Sequence, residues 1–311
     1  MFIYVCHLAP REKHKNIWNS RGRPLGLKFD SKGNLYVADA FCGLLKVDVT
    51  TGTVKRLLPI STVVEGKAVS MPDDLAIDEQ EGVIYFTDST TRWSLRDLIF
   101  ICLEHENSGR VIAFNLTTNQ ASVIVDSMYF PNGIQLSHDG SFLLIAEWSK
   151  FRIMKYYLKG EFKGVLEIFI DNLPGEPDNI RPSTSEGYWV TLTGGRSRGR
   201  PSLVDISSEY PFVKKVVVRT SHLLGSLLEQ LTSIWPLEFL TKTSENLRHL
   251  NYMFQWASHH GLVIEVDENG NINRSLHSPD GKIPIPTEAS ENNGHLYIGS
   301  YFNDFVARVK L

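Results

Sequence analysis

The chain reads as an all-β protein, a β-propeller assembled from four-stranded sheets. Short strands separated by glycine-bearing turns recur along it, as in Gly26–Asp39 and Phe130–Trp148. The turn glycines Gly33, Gly82, Gly140 and Gly187 lie 49, 58 and 47 residues apart, close to the roughly 40–50 residues of one propeller blade. A carboxylate or amide also stands at the head of the first strand in several units.

Five units are legible. The first pairs Gly26–Asp30 with Asn34–Asp39, and Gly43–Val49 and Thr53–Leu58 complete it. Asp74–Asp78 and Gly82–Asp88 open the second, which Arg110–Asn115 and Ala121–Val125 finish. In the third, Asn132–Leu136 alternates apolar and polar residues up to the turn at Asp139-Gly140. Phe142–Ala146, Arg152–Leu158 and Glu167–Ile170 follow. Asn179–Arg181 with Gly187–Leu192 begins the fourth, and Glu288–Ser290 with Gly294–Ser300 the fifth. A closed ring of such blades has six, and the first 20 residues do not read as another one. The expectation is a six-bladed type lacking its first blade, with 1–20 an N-terminal extension and 21–311 the propeller domain.

The last spacing, 107 residues from Gly187 to Gly294, contains an insertion in the penultimate blade. Over about 222–256 the period changes from two to that of a helix, with Leu223, Leu224, Leu227, Leu228 and Leu231 at helical intervals. Such a segment serves as an elaborated rim loop, a lid over a pocket, a protein contact or a patch resting on a membrane surface. Glu229, Glu238 and Glu245 against Lys242 and Arg248 leave no basic face across that window.

A net charge of -3 with no basic stripe argues against nucleic-acid binding. No apolar run approaches the roughly 18 residues of a spanning helix, and Met1–Cys6 is too short for a signal-peptide core. Cys6, Cys42 and Cys102 permit one internal disulfide at most and lack zinc-ligand spacing. The sequons at Asn115 and Asn273 become glycosylation sites if the chain enters the secretory route.

The first strand of each propeller blade runs along the central channel, so the residues at its head converge from several blades. Aligned there are Leu25/Gly26, Asp73/Asp74, Asn132/Gly133, Asp178/Asn179 and Thr287/Glu288. Three consecutive units therefore offer oxygen donors from rigid strand ends, a pattern suited to a hard cation such as calcium. The acidic strand ends Asp39, Asp88 and Glu147 are expected to bond neighbouring loops, and the pair His259-His260 to lie on the surface. No GxSxG elbow or phosphate loop occurs.

Gly22–Gly26, Ile84–Ser89, Phe130–Gly133, Pro177–Ser183, Gly187–Val190, Ser275–Gly281 and Gly294–Ser300 together resemble strictosidine synthase-like proteins, and within them the adipocyte plasma membrane-associated protein branch. The resemblance covers about 21–311. It implies a six-bladed propeller behind a membrane anchor, in the secretory lumen or at the cell surface; no anchor or signal is visible in this chain. The alkaloid-forming members condense an amine with an aldehyde, using a glutamate where this chain has Thr287. Glu288 follows one residue later, which strand alternation would turn to the other side. Related calcium-dependent lactonases and arylesterases place their ligands at positions matching Asp73, Asn132, Asp178 and Asn179, and their histidine base where Leu25 stands.

The expectation is thus a hydrolase-like propeller of arylesterase or lactonase type. Calcium would sit at Asp73, Asn132, Asp178 and Asn179, Asp74 or Glu288 would act as base, and the substrate would be a small ester or lactone. The rival is a non-catalytic secretory-pathway or membrane-associated propeller that binds a partner through its insertion. Synthase-type condensation ranks third.

Overall fold

The computed structural model describes residues 22–197, 199, 201–249 and 259–311. The expected N-terminal extension and residues 250–256 of the expected insertion lie outside them. Five antiparallel sheets of three or four strands follow one another, with a two-stranded hairpin (Val63–Val64 and Lys67–Ala68) between the first two, and in each the chain order is also the spatial order. The first comprises Pro24–Phe29, Leu35–Asp39, Gly43–Val47 and Val54–Pro59. Pro72–Asp78, Val83–Asp88, Gly109–Asn115 and Ala121–Met128 form the second, and Pro131–Leu136, Phe142–Glu147, Arg152–Tyr157 and Leu166–Ile170 the third. The fourth contains Gly175–Pro182, Tyr188–Gly195, Gly261–Val266 and Ile272–Ser278. Three strands make the fifth: Pro286–Asn292, His295–Ser300 and Ala307–Lys310. The innermost strands of successive sheets pack side by side in chain order. This is a β-propeller, with five blades among the described residues.

Blades cohere because the sheet faces that meet between them are apolar. Tyr36, Ala38 and Leu44 meet Leu75, Ile84 and Phe86 between the first two blades. Ala76, Tyr85 and Val111 meet Ile134, Leu143 and Ile145 in the next gap. Leu144, Ala146 and Ile153 pack on Ile180, Tyr188 and Val190, and Trp189 and Val263 on Ala289, Leu296 and Ile298. With neighbours on both sides, alternation is lost in the middle strands: every residue of Phe142–Glu147 and Gly261–Val266 is buried.

The acidic strand ends do bond neighbouring loops. Asp39 Oδ1 accepts the Phe41 and Cys42 amides at 2.9 Å each. Asp88 takes the Ser70 and Met71 amides and an ion pair at 3.0 Å from the wholly buried Arg110. Glu147 accepts from the Tyr129 amide at 2.7 Å and from Arg152 at 2.5 Å. His260 meets His277 through ring nitrogens 2.8 Å apart, on the outer part of the fourth blade.

Helices interrupt two blades. A short one, α1 (Leu98–Glu104), lies between the second and third strands of the second blade, where no helix was expected. The fourth blade carries α2 (Leu203–Ser208), α3 (Pro211–Ile234) and α4 (Glu238–His249) at the equivalent place. The helical region therefore begins near residue 203 rather than 222. Val213 and Val216–Val218, β-branched and strand-like by propensity, hide the first turns of α3 in the sequence. Among the described residues, no helix is long and apolar enough to cross a membrane.

Candidate functional site

Every innermost strand carries a proline at or close to its start: Pro24, Pro72, Pro131, Pro177 and Pro286. In each, the pairing slips immediately after it. Pro72 faces Asp88 but Leu75 faces Phe86; Pro131 faces Glu147 but Ile134 faces Ile145. The same irregularity falls after Pro24, Pro177 and Pro286. Such bulges re-aim side chains at a sheet end, and here they act on the polar pairs anticipated from the sequence.

Two threonines fill the gaps that the bulges open. Thr87 Oγ1 accepts the Asp74 amide at 3.0 Å and donates to the Asn132 carbonyl of the next blade at 2.7 Å. Thr191 repeats this, accepting from the Asn179 amide at 3.1 Å and donating to the Thr287 carbonyl at 3.0 Å. Glycine permits the closest approaches. A Cβ on Gly26 would stand 2.6 Å from Asp74 Cα, and one on Gly133 would stand 2.3 Å from the Asp178 carbonyl oxygen.

The pairs separate into two layers. The second members, Asp74, Asn179 and Glu288, gather around Arg181, a residue without an assigned role in the sequence reading. Arg181 donates to both carboxylate oxygens of Asp74, at 2.8 and 3.2 Å, and lies 2.6 Å from Glu288 Oε2. Asp74 also accepts the Ile134 amide at 3.0 Å, and Asn179 Nδ2 donates to Glu288 at 3.2 Å. Glu288 is therefore drawn into the channel, against the expectation from strict alternation, because Thr287 is the bulged residue of its strand. Further along the channel Lys28 donates to Gln135 at 3.1 Å; burial first, then Arg181, pushes its ammonium down to about 8.

The first members, Asp73, Asn132 and Asp178, form the other layer. Burial pushes the Asp73 carboxyl up to about 7; the hydrogen bond from Ser89, 2.9 Å away, opposes this and the charge of Asp74 adds to it. Asp178 is held well above the usual carboxylate range by burial and then by the charges of Asp73, Glu288 and Asp74. Asn132 Oδ1 is buried with no hydrogen-bond partner. An orphaned amide oxygen on the strand between those that carry two buried carboxylates is donor chemistry that suits a hard cation. Among the described residues no three His, Cys, Asp or Glu side chains converge as a metal cluster, so any cation here depends on the Asn132 amide. The structure thus sets the strands headed by Asp73, Asn132 and Asp178 side by side and places Asn179, the fourth expected ligand, with Arg181 and Glu288.

The connections after Asp88 and Gly195 leave their sheets beside the heads of the inner strands, so both helical insertions rise at this end of the channel. Ile101 of α1 packs with Met71, Phe130 and Ala40, and with the half-buried Leu25 and Trp148, making an apolar roof. A cavity of about 500 Å³ opens alongside, lined by Ala40, Phe41, Ser70, Arg92 and Trp93. The sequons lie away from this end. Asn115 Oδ1 accepts the Thr117 and Thr118 amides in a tight turn, and Asn273 is exposed on an outer strand.

A family model described as strictosidine synthase matches residues 73–161. Adipocyte plasma membrane-associated protein from Rattus norvegicus is 36% identical over 291 residues, covering 93% of this chain and 70% of the relative. The Homo sapiens protein of that name is 36% identical, and this chain spans 64% of its length. Adipocyte plasma membrane-associated protein Hemomucin from Drosophila melanogaster is 35% identical, with 50% of its length covered. Among solved structures, the nidogen/laminin complex aligns with a TM-score of 0.54 at 12% identity, covering 93% of this chain and 76% of the matched chain. A gluconolactonase from Xanthomonas campestris aligns at 0.53 and 13%, with coverage of 89% and 69%. Regucalcin, a calcium-binding protein from Agrobacterium tumefaciens, aligns at 0.52 and 14%, with 90% and 70%. These structures share the fold. The chain itself belongs to the adipocyte plasma membrane-associated protein family of strictosidine synthase-like propellers.

Proposed function

We propose that this chain is a hydrolase of arylesterase or lactonase type, with calcium held at the channel end by Asp73, Asn132 and Asp178. The observation that carries the reading is the buried, unpartnered Asn132 Oδ1 on the strand between those of Asp73 and Asp178, two carboxylates of raised proton affinity. Two of the fold neighbours, a gluconolactonase and a calcium-binding protein, support it by analogy of fold. When bound, the ion would polarise an ester carbonyl and stabilise the charge developing on its oxygen.

The protein's own part is positioning. The inner strands are locked by Thr87, Thr191 and the bulges, so the donors are rigid. Of the two candidate bases, Asp74 is occupied by Arg181 and the Ile134 amide, whereas Glu288 keeps Oε1 unpartnered. Glu288 is therefore the better placed to take a proton from water. The apolar roof of Ile101, Met71 and Phe130 would face the acyl or aryl part of the substrate. The names of the relatives agree with work at a membrane or cell surface.

Hydrolysis of phenyl acetate and of a δ-lactone, with calcium and then with chelator, tests the reading. Turnover should disappear with chelator and in Asp178→Ala, and calorimetry should show calcium binding lost in Asn132→Ala. Turnover indifferent to chelator, or an unaltered Asp178→Ala enzyme, overturns it. The absence of both turnover and calcium binding favours the rival, a propeller that binds without catalysing.

A further inference from the structure

Helix α3 is amphipathic the wrong way round. Phe212, Val216, Leu223, Leu227 and Ile234 recur at intervals of four and seven, which places them on one line down the helix. All five are exposed, Phe212 by 79% and Ile234 by 66%. Val213, Val217, Leu224 and Leu231 lie beside them and are also exposed. Together they make an apolar stripe about 140° wide and about 36 Å long. The opposite face is the packed one. Val218 lies against Phe100 and Leu103 of α1, His222 meets the Phe100 ring edge-on at 4.9 Å, and the Gly225 carbonyl accepts from Ser244 of α4 at 3.2 Å. A free-standing soluble helix would bury the stripe and expose its polar side; α3 does the reverse over its whole length.

The charges along α3 are nearly all basic and lie outside the stripe. Because the helix begins at Pro211, it includes Lys214, Lys215 and Arg219, which the sequence window from 222 left out, against the single acid Glu229. Arg219 is paired with Glu104 of α1 at 3.0 Å. Lys214 and Lys215 have no ion pair among the described residues, and Lys214 feels the charges of Lys215 and Lys150. At the other end the stripe finishes in Ile234 and Trp235, both exposed, with no charge between Glu229 and Glu238. An apolar stripe on a helix whose charges are nearly all basic, ending in an exposed tryptophan, is the composition of a helix that lies in the plane of a bilayer surface. A soluble protein partner would have no need of that sequence of chemistries.

We propose that α3 docks flat on a lipid bilayer bearing anionic headgroups, with its stripe in the interfacial region and Lys150, Lys214 and Lys215 against the phosphates. α1 lies between α3 and the channel end, so docking would hold the candidate site's roof towards the lipid. The docking does not depend on the hydrolase reading, and its test uses no turnover.

Flotation of the purified chain with phosphatidylcholine vesicles, with and without about one-fifth phosphatidylserine, provides the test. The chain should float with the mixed vesicles, less so at high salt, and Leu223→Asp/Leu227→Asp should weaken binding by about tenfold or more. Circular dichroism of that variant should match the parent, since both positions are exposed. As a measurement that leaves the stripe intact, brominated lipid should quench fluorescence in the parent, and the quenched component should vanish in Trp235→Phe. Failure of the parent to float, equal flotation of the double variant, or a dimer that the double variant splits would each overturn the proposal; the last would make a second copy the occupant of the stripe.

Discussion

The channel end and helix α3 break the same rule in opposite directions. At the channel, Asp74, Arg181 and Asp73 are enclosed by strands; on α3, Phe212, Leu223 and Ile234 face solvent. Buried charge is tolerated where every group has a partner held by a stiff backbone, and costs several kcal/mol once one partner is gone. Exposed apolar surface carries no such local debt and becomes costly only through what it attracts. Substitutions in the first region should therefore register in folding, and those in the second in association.

The largest effect is expected from Arg181→Met. It leaves the buried Asp74 carboxylate without its bidentate partner, and urea unfolding should show a loss of about 3–5 kcal/mol. Adding Asp74→Asn should recover a good part of that loss, because the uncompensated charge goes with it. A single variant as stable as the parent would show that the network is solvated, contrary to its burial.

Thr191→Val comes next. It keeps the shape but removes the acceptor of the Asn179 amide and the donor to the Thr287 carbonyl, for a cost of about 1–3 kcal/mol. Thr87→Val should behave alike, since it occupies the same place two blades earlier. A marked inequality would mean that one of the two bulges is held by something else.

Lys28 sharpens the comparison through pH. Its folded-state proton affinity is lowered to about 8 from 10.5, so between those values the unfolded chain binds more protons than the folded one. Stability should then rise with pH across that window. Lys28→Met should flatten the rise, measured by thermal unfolding at matched ionic strength. Arg181, Asp74 and Glu288 face Lys28, and only the first of these favours its neutral form. The smallest effect belongs to α3: Leu227→Gln should change unfolding free energy by less than about 0.5 kcal/mol. A larger loss would reveal that the stripe is packed in solution.

Much of the blade pattern was readable because strand, turn and strand repeat with glycine at fixed places. The polar pairs were readable too, since the units align on the first apolar residue of each inner strand. Besides α1, three things were not. Arg181 looked like one more strand residue, and nothing local says that its side chain spans to Asp74, 107 positions away. Glu288 read as facing away because the bulge at Thr287 belongs to the pairing with its neighbour strand rather than to its own residues. The start of α3 was hidden by valines whose intrinsic preference is for strands, and packing against α1 overrides that preference.

The sequence by itself determined an all-β repeat chain with oxygen donors in register at the heads of Pro72–Asp78, Pro131–Leu136 and Gly175–Pro182. Periodicity and turn chemistry are local properties, so they survive in one dimension. Only the tertiary structure decided which donors share a layer, with Asp73, Asn132 and Asp178 in one and Asp74, Asn179 and Glu288 around Arg181 in the other. It also decided that α3 turns its apolar side outward. Both depend on which face of an element meets a neighbour, and that choice is made by bulges, close glycine contacts and long-range ion pairs rather than by the residues' own spacing.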